Sequence, residues 1–332
     1  MNATTLERPA ASSHLAPQAA LSDVQAMRTF FKLVDGRPVS CEEAEAQIIA
    51  YNNPGPAEEA ELLERYNIDH HTLLSSLDPD EISRLEFEPD HAALIFKRPK
   101  SYCADDNFLL KVTSTGAFLY PDLLVVVMPD DAPLFEGRVP FPVNTLQDVI
   151  LRLLHQAIAH FDGHLKAINM LSDSIEKRLT RSMENKYLLN MFSLEKSLVY
   201  ILNSLSSNTS LAEKLRLSAH RLGFDADQIG ILEDIAIETK QCFRRAQIYS
   251  EVLGGLMDSR ASIVSNNLNH LIKKFTIWTI AIMLANLIVS IFSMNVKIPG
   301  QDLPGWSAFL LINILAVGSG FAVLWLWKVR KW

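Results

Sequence analysis

Five side chains with hydroxyl or amide oxygens recur along an otherwise apolar segment near the C-terminus: Thr276, Thr279, Asn286, Ser290 and Ser293. Their spacings of 3, 7, 4 and 3 residues place them on one face of a helix. Neutral oxygens of this kind can hydrogen-bond to the water around a hydrated cation. An Asn in hydrocarbon is costly unless it finds a partner or water. The spacing therefore predicts either packing between helices or a wet path shared by several copies of the chain, and it leaves both open.

Two long apolar runs must carry and support this face. Residues 275–294 and 306–327 contain no charged side chain, and ~20 residues rising ~1.5 Å each cross a ~30 Å hydrocarbon core. We therefore predict a transmembrane helical hairpin whose loop, 295–305, lies outside the cytoplasm. The second run contains Gly318, Ser319 and Gly320, which are small residues that favour close helix packing.

Charged residues flank the hairpin mainly at its two outer ends. Lys273 and Lys274 precede the first run and the tail 328–332 is basic, whereas the loop carries one Lys and one Asp. The positive-inside rule then puts both termini in the cytoplasm, with the hairpin in the inner (plasma) membrane. Residues 1–26 lack a sustained apolar core, which indicates a flexible leader rather than a signal peptide.

Composition excludes several other classes. The 332-residue chain has a formal net charge of −7 and no Lys/Arg cluster interleaved with aromatics, which argues against nucleic acid as a partner. We find no Walker motif and no Ser/His/Asp arrangement, so an enzyme is not expected. Three cysteines far apart predict no disulfide framework. His160 and His164, spaced i, i+4, could chelate a metal, but without a third ligand in the sequence a solvated helix face is the favoured interpretation.

The pattern over residues 27–142 predicts an α+β domain in the cytosol, because short aliphatic runs alternate with turn residues. The expected strands are a strand–turn–strand unit at 27–39 and single strands at 91–99, 107–113 and 122–129. The expected helices are 41–51 and 56–66.

From residue 143 the pattern changes to long helices. We expect cytosolic helices over 143–224, including one at 186–206, a break at SSNTS (206–210) and another at 210–221. From 225 to 294 a single helix of ~65 to 70 residues, ~100 Å long, joins a cytosolic stalk to the first transmembrane helix. An apolar residue every seventh position indicates a bundled or coiled stalk: Ile235, Cys242, Tyr249, Leu256 and Ile263.

Together these features resemble the CorA family of divalent metal-ion (Mg²⁺/Co²⁺) transporters, within the superfamily that also holds ZntB-type zinc transporters. The family's Gly-Met-Asn signature after the first membrane helix reads Ser293-Met294-Asn295 here. The segments NHLIKKF (269–275) and LDPDEISRLE (77–86) are also similar to family segments. The resemblance implies a funnel-shaped homopentamer in membrane lipid, with the first membrane helices around a pore.

The resemblance also assigns roles to individual residues. Ser293, Met294 and Asn295 correspond to the selectivity filter, and Asp258 corresponds to an acidic stalk position that binds regulatory metal. The implied pore lining comprises Asn269, Ile272, Phe275, Thr279, Met283, Asn286 and Ser290. No tightly bound cofactor is implied, because Mg²⁺ or another divalent cation such as Co²⁺ or Ni²⁺ is the substrate and a possible regulator.

Three departures from the family pattern keep other functions open. Ser293 replaces the signature Gly, Lys297 stands in a loop that is often acidic, and Ser75 takes the place of the acid that faces the stalk site, with Asp78 and Asp80 nearby. The leading hypothesis is Mg²⁺ uptake driven by the electrochemical gradient and gated by cytosolic metal. The alternatives are a zinc transporter of the same superfamily and a non-conducting, membrane-anchored regulatory protein.

Overall fold

The computed structural model describes residues 27–100, 109–135, 137, 139–179, 185–294 and 305–330. Within these residues, strands and two short helices precede four long helices. The strands are β1 (Met27–Val34), β2 (Arg37–Ser40), β3 (Ile48–Asn52), β4 (Arg84–Phe87), β5 (Ala92–Pro99), β6 (Val112–Leu119) and β7 (Leu124–Met128). The helices are α1 (Pro56–Arg65), α2 (His70–Leu77), α3 (Leu146–Leu179), α4 (Asn185–Ser218), α5 (Ala226–Phe292) and α6 (Gly305–Arg330).

The seven strands form one sheet in the order β2-β1-β3-β7-β6-β5-β4. The central strands β3 and β7 run parallel, and both are buried along their whole length, as expected for strands covered on two faces. A two-residue turn joins β1 to β2, in which Asp35 and Gly36 have φ of 48° and 72°. Short hairpins favour this left-handed geometry, and the expected strand–turn–strand unit is confirmed.

Helices cover both faces of the sheet. α1 and α2 lie on one face, where Leu62 and Leu73 are buried against it. α2 lies so close to β6 that a Cβ on Gly116 would come within 2.5 Å of the Ser76 Cβ, so glycine is required for packing there. On the other face, α3, α4 and α5 share one apolar core with the sheet. Because this core is shared, the proposed domain boundary at residue 142 stays a prediction.

α5 is a single helix of 67 residues, about 100 Å long at ~1.5 Å per residue. It begins with a capping box, in which Asp225 and Gln228 each accept a hydrogen bond from the other's backbone N–H. The heptad positions Ile235 and Cys242 are buried in the helical core, whereas Ile263 is 47% exposed. The expected long helix is confirmed, and its apolar repeat packs first within the chain's own bundle and then emerges from it.

Three local predictions are wrong or shifted. α4 runs through the break expected at SSNTS without interruption. The helix expected at 41–51 is instead β3 at its C-terminal end, because β1 and β7 provide ladder partners on both sides. The strand expected at 107–113 starts only at Val112, and the preceding Leu110 N–H donates to Ser197 Oγ of α4. In each case a partner distant in sequence decides the local structure.

The SSNTS segment is helical because its polar side chains bind the sheet. β4 pairs with β5 only as far as Arg84 and Ile95, so on this edge of β5 the next ladder position, Lys97, has no β4 partner. The buried Asn208 carboxamide supplies the missing pair: its Oδ1 accepts from the Lys97 N–H at 2.9 Å and its Nδ2 donates to the Lys97 carbonyl at 2.8 Å. Ser83 Oγ also donates to Asn208 Oδ1 at 2.8 Å. Asn208 therefore ties α4 to the sheet.

Candidate functional site

Within the described residues, α5 and α6 are long and apolar enough to cross a membrane. Each contains an 18-residue stretch with a mean hydropathy of 2.2, of which 6% is buried inside the chain. A helix of a soluble core would be mostly buried, whereas here large apolar side chains such as Trp278, Phe309 and Phe321 are exposed. Hydrocarbon surroundings account for this exposure, in agreement with the predicted hairpin.

Small residues mediate the contact between α5 and α6. Ala281 of α5 and Ala316 of α6 are each 5% exposed, in contrast to their neighbours along both helices. A Cβ on Gly320 would lie 3.4 Å from the Ala281 carbonyl oxygen, so the two backbones approach closely at this point. The packing role predicted for the small-residue cluster of α6 is confirmed at Gly320.

The polar face of α5 points away from α6. On a helical wheel with ~100° per residue, the more buried positions in the apolar, C-terminal part of α5 lie within about 40° of Ala281. Because Ala281 contacts α6, these positions mark the side of α5 that faces α6. These positions are Ile277, Ala285, Ile288 and Phe292. A second set of positions lies within about 40° of the direction opposite to Ala281. It comprises Ile272, Thr276, Thr279, Met283, Asn286 and Ser290, all of them exposed. We call these six residues the outer face of α5.

The polar atoms of the outer face have few partners within the chain. Thr276 Oγ1 and Thr279 Oγ1 donate to the carbonyls of Ile272 and Phe275, each at 2.8 Å, so their lone pairs remain directed outward. The Asn286 amide makes no hydrogen bond to any described residue. An unpaired carboxamide at membrane depth requires a second protein surface or water. The single chain therefore leaves the outer face incomplete.

Large apolar side chains lie between these polar groups. Ile272, Phe275 and Met283 are 53%, 68% and 65% exposed, and the first and last belong to the outer face. At ~100° per residue around the helix axis, Phe275 lies about 60° from the centre of the outer face, and Asn269 lies equally far from it on the other side. Rings of such side chains around a narrow path would exclude water. All seven positions assigned to a pore lining by the resemblance thus lie on one side of α5.

The end of α5 accommodates serine at the position of the family's glycine. Ser293 has φ −86° and ψ −4°, a right-handed conformation open to any L residue. Its Oγ donates to the Ser290 carbonyl at 2.8 Å, and Met294, 59% exposed, follows it. The left-handed freedom of glycine is therefore not needed at this point. Asn295, Lys297 and the rest of the loop to residue 304 lie outside the described residues.

Asp258 is an exposed residue of α5. No cluster of three or more His, Cys, Asp or Glu residues suited to a metal occurs among the described residues, so Asp258 has no ligand set among them. Ser75 is buried, and its hydroxyl donates to Glu81 within the same chain at 3.0 Å. Asp78 and Asp80 are exposed in the turn that follows α2.

Lys97, which the sequence pattern did not single out, lies under this acidic turn at 78–81. Its Nζ donates to the Pro79 carbonyl at 2.6 Å and to Ser114 Oγ at 2.9 Å, and the residue is 4% exposed. Burial lowers the pKa of Lys97, and the carboxylates of the turn oppose that shift. The Lys97 side chain therefore supports the acidic turn from within the same chain. A lysine inside the aliphatic run LIFKRP is the signal that could have indicated it.

Comparison with known proteins connects this arrangement to characterised chains. A family model described as "CorA-like Mg²⁺ transporter protein" matches residues 43–331. Among curated proteins, the chain is 23% identical over 291 residues to the cobalt/magnesium transport protein CorA of Methanocaldococcus jannaschii. That alignment covers 84% of this chain and 89% of the relative.

Solved structures share the fold. The complete structure of the CorA magnesium transporter from M. jannaschii has a TM-score of 0.75 at 19% identity, covering 91% of this chain and 97% of that one. The full-length CmaX protein has a TM-score of 0.67 at 15% identity, covering 92% and 98%. The ZntB cytoplasmic domain from Vibrio parahaemolyticus has a TM-score of 0.55 at 11% identity, covering 72% and 98%. At these identities the likeness concerns the fold alone.

Proposed function

This chain belongs to the family of CorA-like Mg²⁺ transporter proteins, and from that membership we propose that it is a channel for divalent cations, chiefly Mg²⁺. In this proposal several copies, five by analogy with the family, arrange their α5 helices around one pore in the inner membrane. Both termini lie in the cytoplasm. Co²⁺ and Ni²⁺ are expected to pass as well, because they also bind oxygen ligands and water.

The observation that carries the proposal is the direction of the outer face of α5. That face is opposite to α6, is exposed throughout, and contains an Asn286 amide with no partner among the described residues. When α5 helices surround a common axis with α6 outside, each unpaired amide meets water instead of lipid. This arrangement removes the cost of a bare carboxamide in hydrocarbon and creates a wet path in the same step.

The chemistry of the path suits a cation that keeps its water. Mg²⁺ dehydrates reluctantly, and the outer face contains no carboxylate that could replace its hydration shell. Thr279, Asn286 and Ser290 instead offer neutral oxygens to coordinated water. A ring of Asn295 amides, shaped by Ser293 and Met294, would select the hydrated ion at the outer mouth. Rings of Ile272, Phe275 and Met283 would close the path by excluding water.

The membrane potential should drive uptake without ATP. A charge crossing the membrane gains ~2.3 kcal/mol per 100 mV, so a dication gains about 4.6 kcal/mol, an accumulation ratio on the order of 10³. In proteoliposomes with a potassium-diffusion potential, we expect Mg²⁺ influx to rise steeply as the interior becomes negative. Influx that does not respond to the imposed potential would contradict a gradient-driven channel.

The same assay separates the proposal from its alternatives. Influx of Mg²⁺, Co²⁺ and Ni²⁺ supports the proposal, whereas uptake of Zn²⁺ alone would indicate a zinc transporter. Absence of flux for all four ions, in protein that is folded and oligomeric, would indicate a non-conducting regulatory protein. The unstrained backbone at Ser293 removes one argument for that last alternative.

Gating by cytosolic metal is expected to depend on Asp258. Carboxylates of neighbouring stalks that approach each other repel unless a cation neutralises them, so bound Mg²⁺ would hold the stalks together. We expect Asp258→Asn to weaken inhibition by millimolar internal Mg²⁺ by about 5-fold or more, a usual size for coupling between sites. The matched control is Glu251→Gln, an exposed acid one heptad earlier on α5. Equal inhibition in both variants and in the unchanged protein would contradict this role.

A further inference from the structure

Two histidines lie one turn apart on the buried side of α3. The ring centroids of His160 and His164 are 4.8 Å apart with an interplanar angle of 70°. His164 is 9% exposed, and its Nδ1 is shielded from solvent without a hydrogen-bond partner. The solvated helix face expected from the sequence is therefore wrong for His164, because α3 turns this side toward the protein interior.

A small cavity adjoins His160. It has a volume of about 40 Å³ and lies between α3 and the sheet. His160 and Gln156, one turn earlier on α3, line it together with Thr115. The Gln156 Oε1 is also buried and has no partner. A space of this size holds a water molecule or an ion, and the unpaired Gln156 Oε1 at its edge indicates that something polar fills it.

We propose that His160 and His164 bind one borderline divalent cation, Zn²⁺, Co²⁺ or Ni²⁺, in preference to Mg²⁺. Two imidazoles at i and i+4 on a helix are a recurrent half of a zinc site. A tetrahedral ion with metal–nitrogen bonds of about 2.0–2.1 Å keeps its two nitrogens about 3.4 Å apart. Rings already 4.8 Å apart reach that span by rotation of their side chains.

The ligand type determines which metals this site accepts. Imidazole suits Zn²⁺, Ni²⁺ and Co²⁺, whereas Mg²⁺ prefers oxygen. Among the described residues no third His, Cys, Asp or Glu forms a metal-binding group with the pair, so water completes the coordination and Gln156 Oε1 offers it an acceptor. With two protein ligands we expect a Kd in the micromolar range. The site would distinguish transition metals from Mg²⁺, which the oxygen-lined outer face of α5 does not do.

The position of the pair also connects it to the stalk. Asp162, between the two histidines in sequence, forms ion pairs with Lys166 on α3 and with Arg245 on α5. A metal that restrains this turn of α3 therefore acts next to a direct α3–α5 contact. The site is cytosolic in the proposed topology, and metal binding to it does not require the pore to conduct.

Metal titration of the full-length protein in detergent, after removal of any histidine tag, tests the proposal. We expect one Zn²⁺ per chain by calorimetry, a Co²⁺ absorption spectrum typical of nitrogen coordination, and no displacement by excess Mg²⁺. His160→Asn should weaken Zn²⁺ binding at least tenfold. His155→Asn, on the same helix and also partly buried, is the matched control and should bind as the unchanged protein does.

Two results would overturn the proposal. One is equal Zn²⁺ affinity in the unchanged protein and in His160→Asn, and the other is an equal loss in His155→Asn. His160 is the first choice for substitution because it is less buried than His164, and thermal unfolding without metal verifies that the variant is folded. Mg²⁺ influx of His160→Asn into proteoliposomes is measured separately, so failure of this site and failure of the proposed channel are distinguishable.

Discussion

Asn286→Leu is expected to lower Mg²⁺ influx into proteoliposomes by at least tenfold, which corresponds to about 1.4 kcal/mol on the barrier. In the proposed pore each copy contributes this amide to the wet path, halfway along the membrane part of α5. Leucine branches at Cγ as asparagine does, but it is larger and cannot hydrogen-bond to the water around a cation. A ring of leucines next to Met283 would lengthen the dry constriction.

Asn313→Leu is the matched control for this prediction. Asn313 is the corresponding membrane asparagine of α6, and its Nδ2 donates to the Phe309 carbonyl at 2.8 Å, so its amide is partly satisfied within its own helix. We expect influx within about twofold of the unchanged protein, because α6 lies outside the proposed ring. Elution volumes in gel filtration should be the same for both variants.

The outcome also separates conduction from simple helix adhesion. If Asn286 only joins helices, Asn286→Leu should dissociate the oligomer, or leave influx unchanged in an intact one. If influx falls while the oligomer persists, the amide acts on the ion path. Equal losses of influx in Asn286→Leu and Asn313→Leu would contradict the assignment of α5 as the inner helix.

Asn208→Leu is expected to cause the largest loss of stability. The substitution leaves the buried N–H and C=O of Lys97 and the hydroxyl of Ser83 without partners, and each buried unpaired group costs about 1–3 kcal/mol. A total of about 3 kcal/mol lowers the Tm of a folded unit of about 150–250 residues by roughly 6–12 °C. Thermal unfolding followed by circular dichroism in detergent measures this shift.

Ser210→Ala provides the control on the same segment. Ser210 is exposed, and its Oγ donates only to the Ser206 carbonyl one turn earlier, at 3.3 Å. Its removal should change the Tm by no more than about 2 °C, since exposed substitutions usually alter stability by less than about 0.5 kcal/mol. Similar Tm values for Asn208→Leu and Ser210→Ala would show that the carboxamide does not hold α4 to β5.

Sequence periodicity predicts the elements whose conformation does not depend on partners distant in sequence. The full length of α5 and the apolar hairpin followed from runs without breakers, and the strand–turn–strand unit followed from a glycine turn between apolar runs. SSNTS and QIIAY were misread because their conformation depends on Lys97 of β5 and on the neighbouring strands. Secondary-structure propensity is a property of the local sequence, so it does not include such distant partners, and in both segments they override it.

The candidate site was likewise predictable from the sequence only in part. The spacing of Thr279, Asn286 and Ser290 predicted a single polar face, but only the contact between Ala281 and Gly320 shows that this face points away from α6. The burial of His164 was not predictable, because its alternation with apolar residues also fits a solvated position, whereas the aliphatic run around Lys97 does indicate the burial of that lysine. The role of Asn295 rests on the resemblance and stays a prediction.

The length of α5 has a mechanical consequence. The close contact at Ala281 lies about 55 residues, or ~82 Å, from the N-terminal end of the helix and about 11 residues, or ~16 Å, from its C-terminal end. For a rigid rod tilting about that fulcrum, a rotation of ~3° displaces the two ends by ~4 Å and ~1 Å. The helical bundle at the N-terminal end of α5 therefore holds the long arm of a lever with a ratio of about five. In the proposed pore, a modest force on this bundle would produce a small but strong change in pore width beyond Ala281.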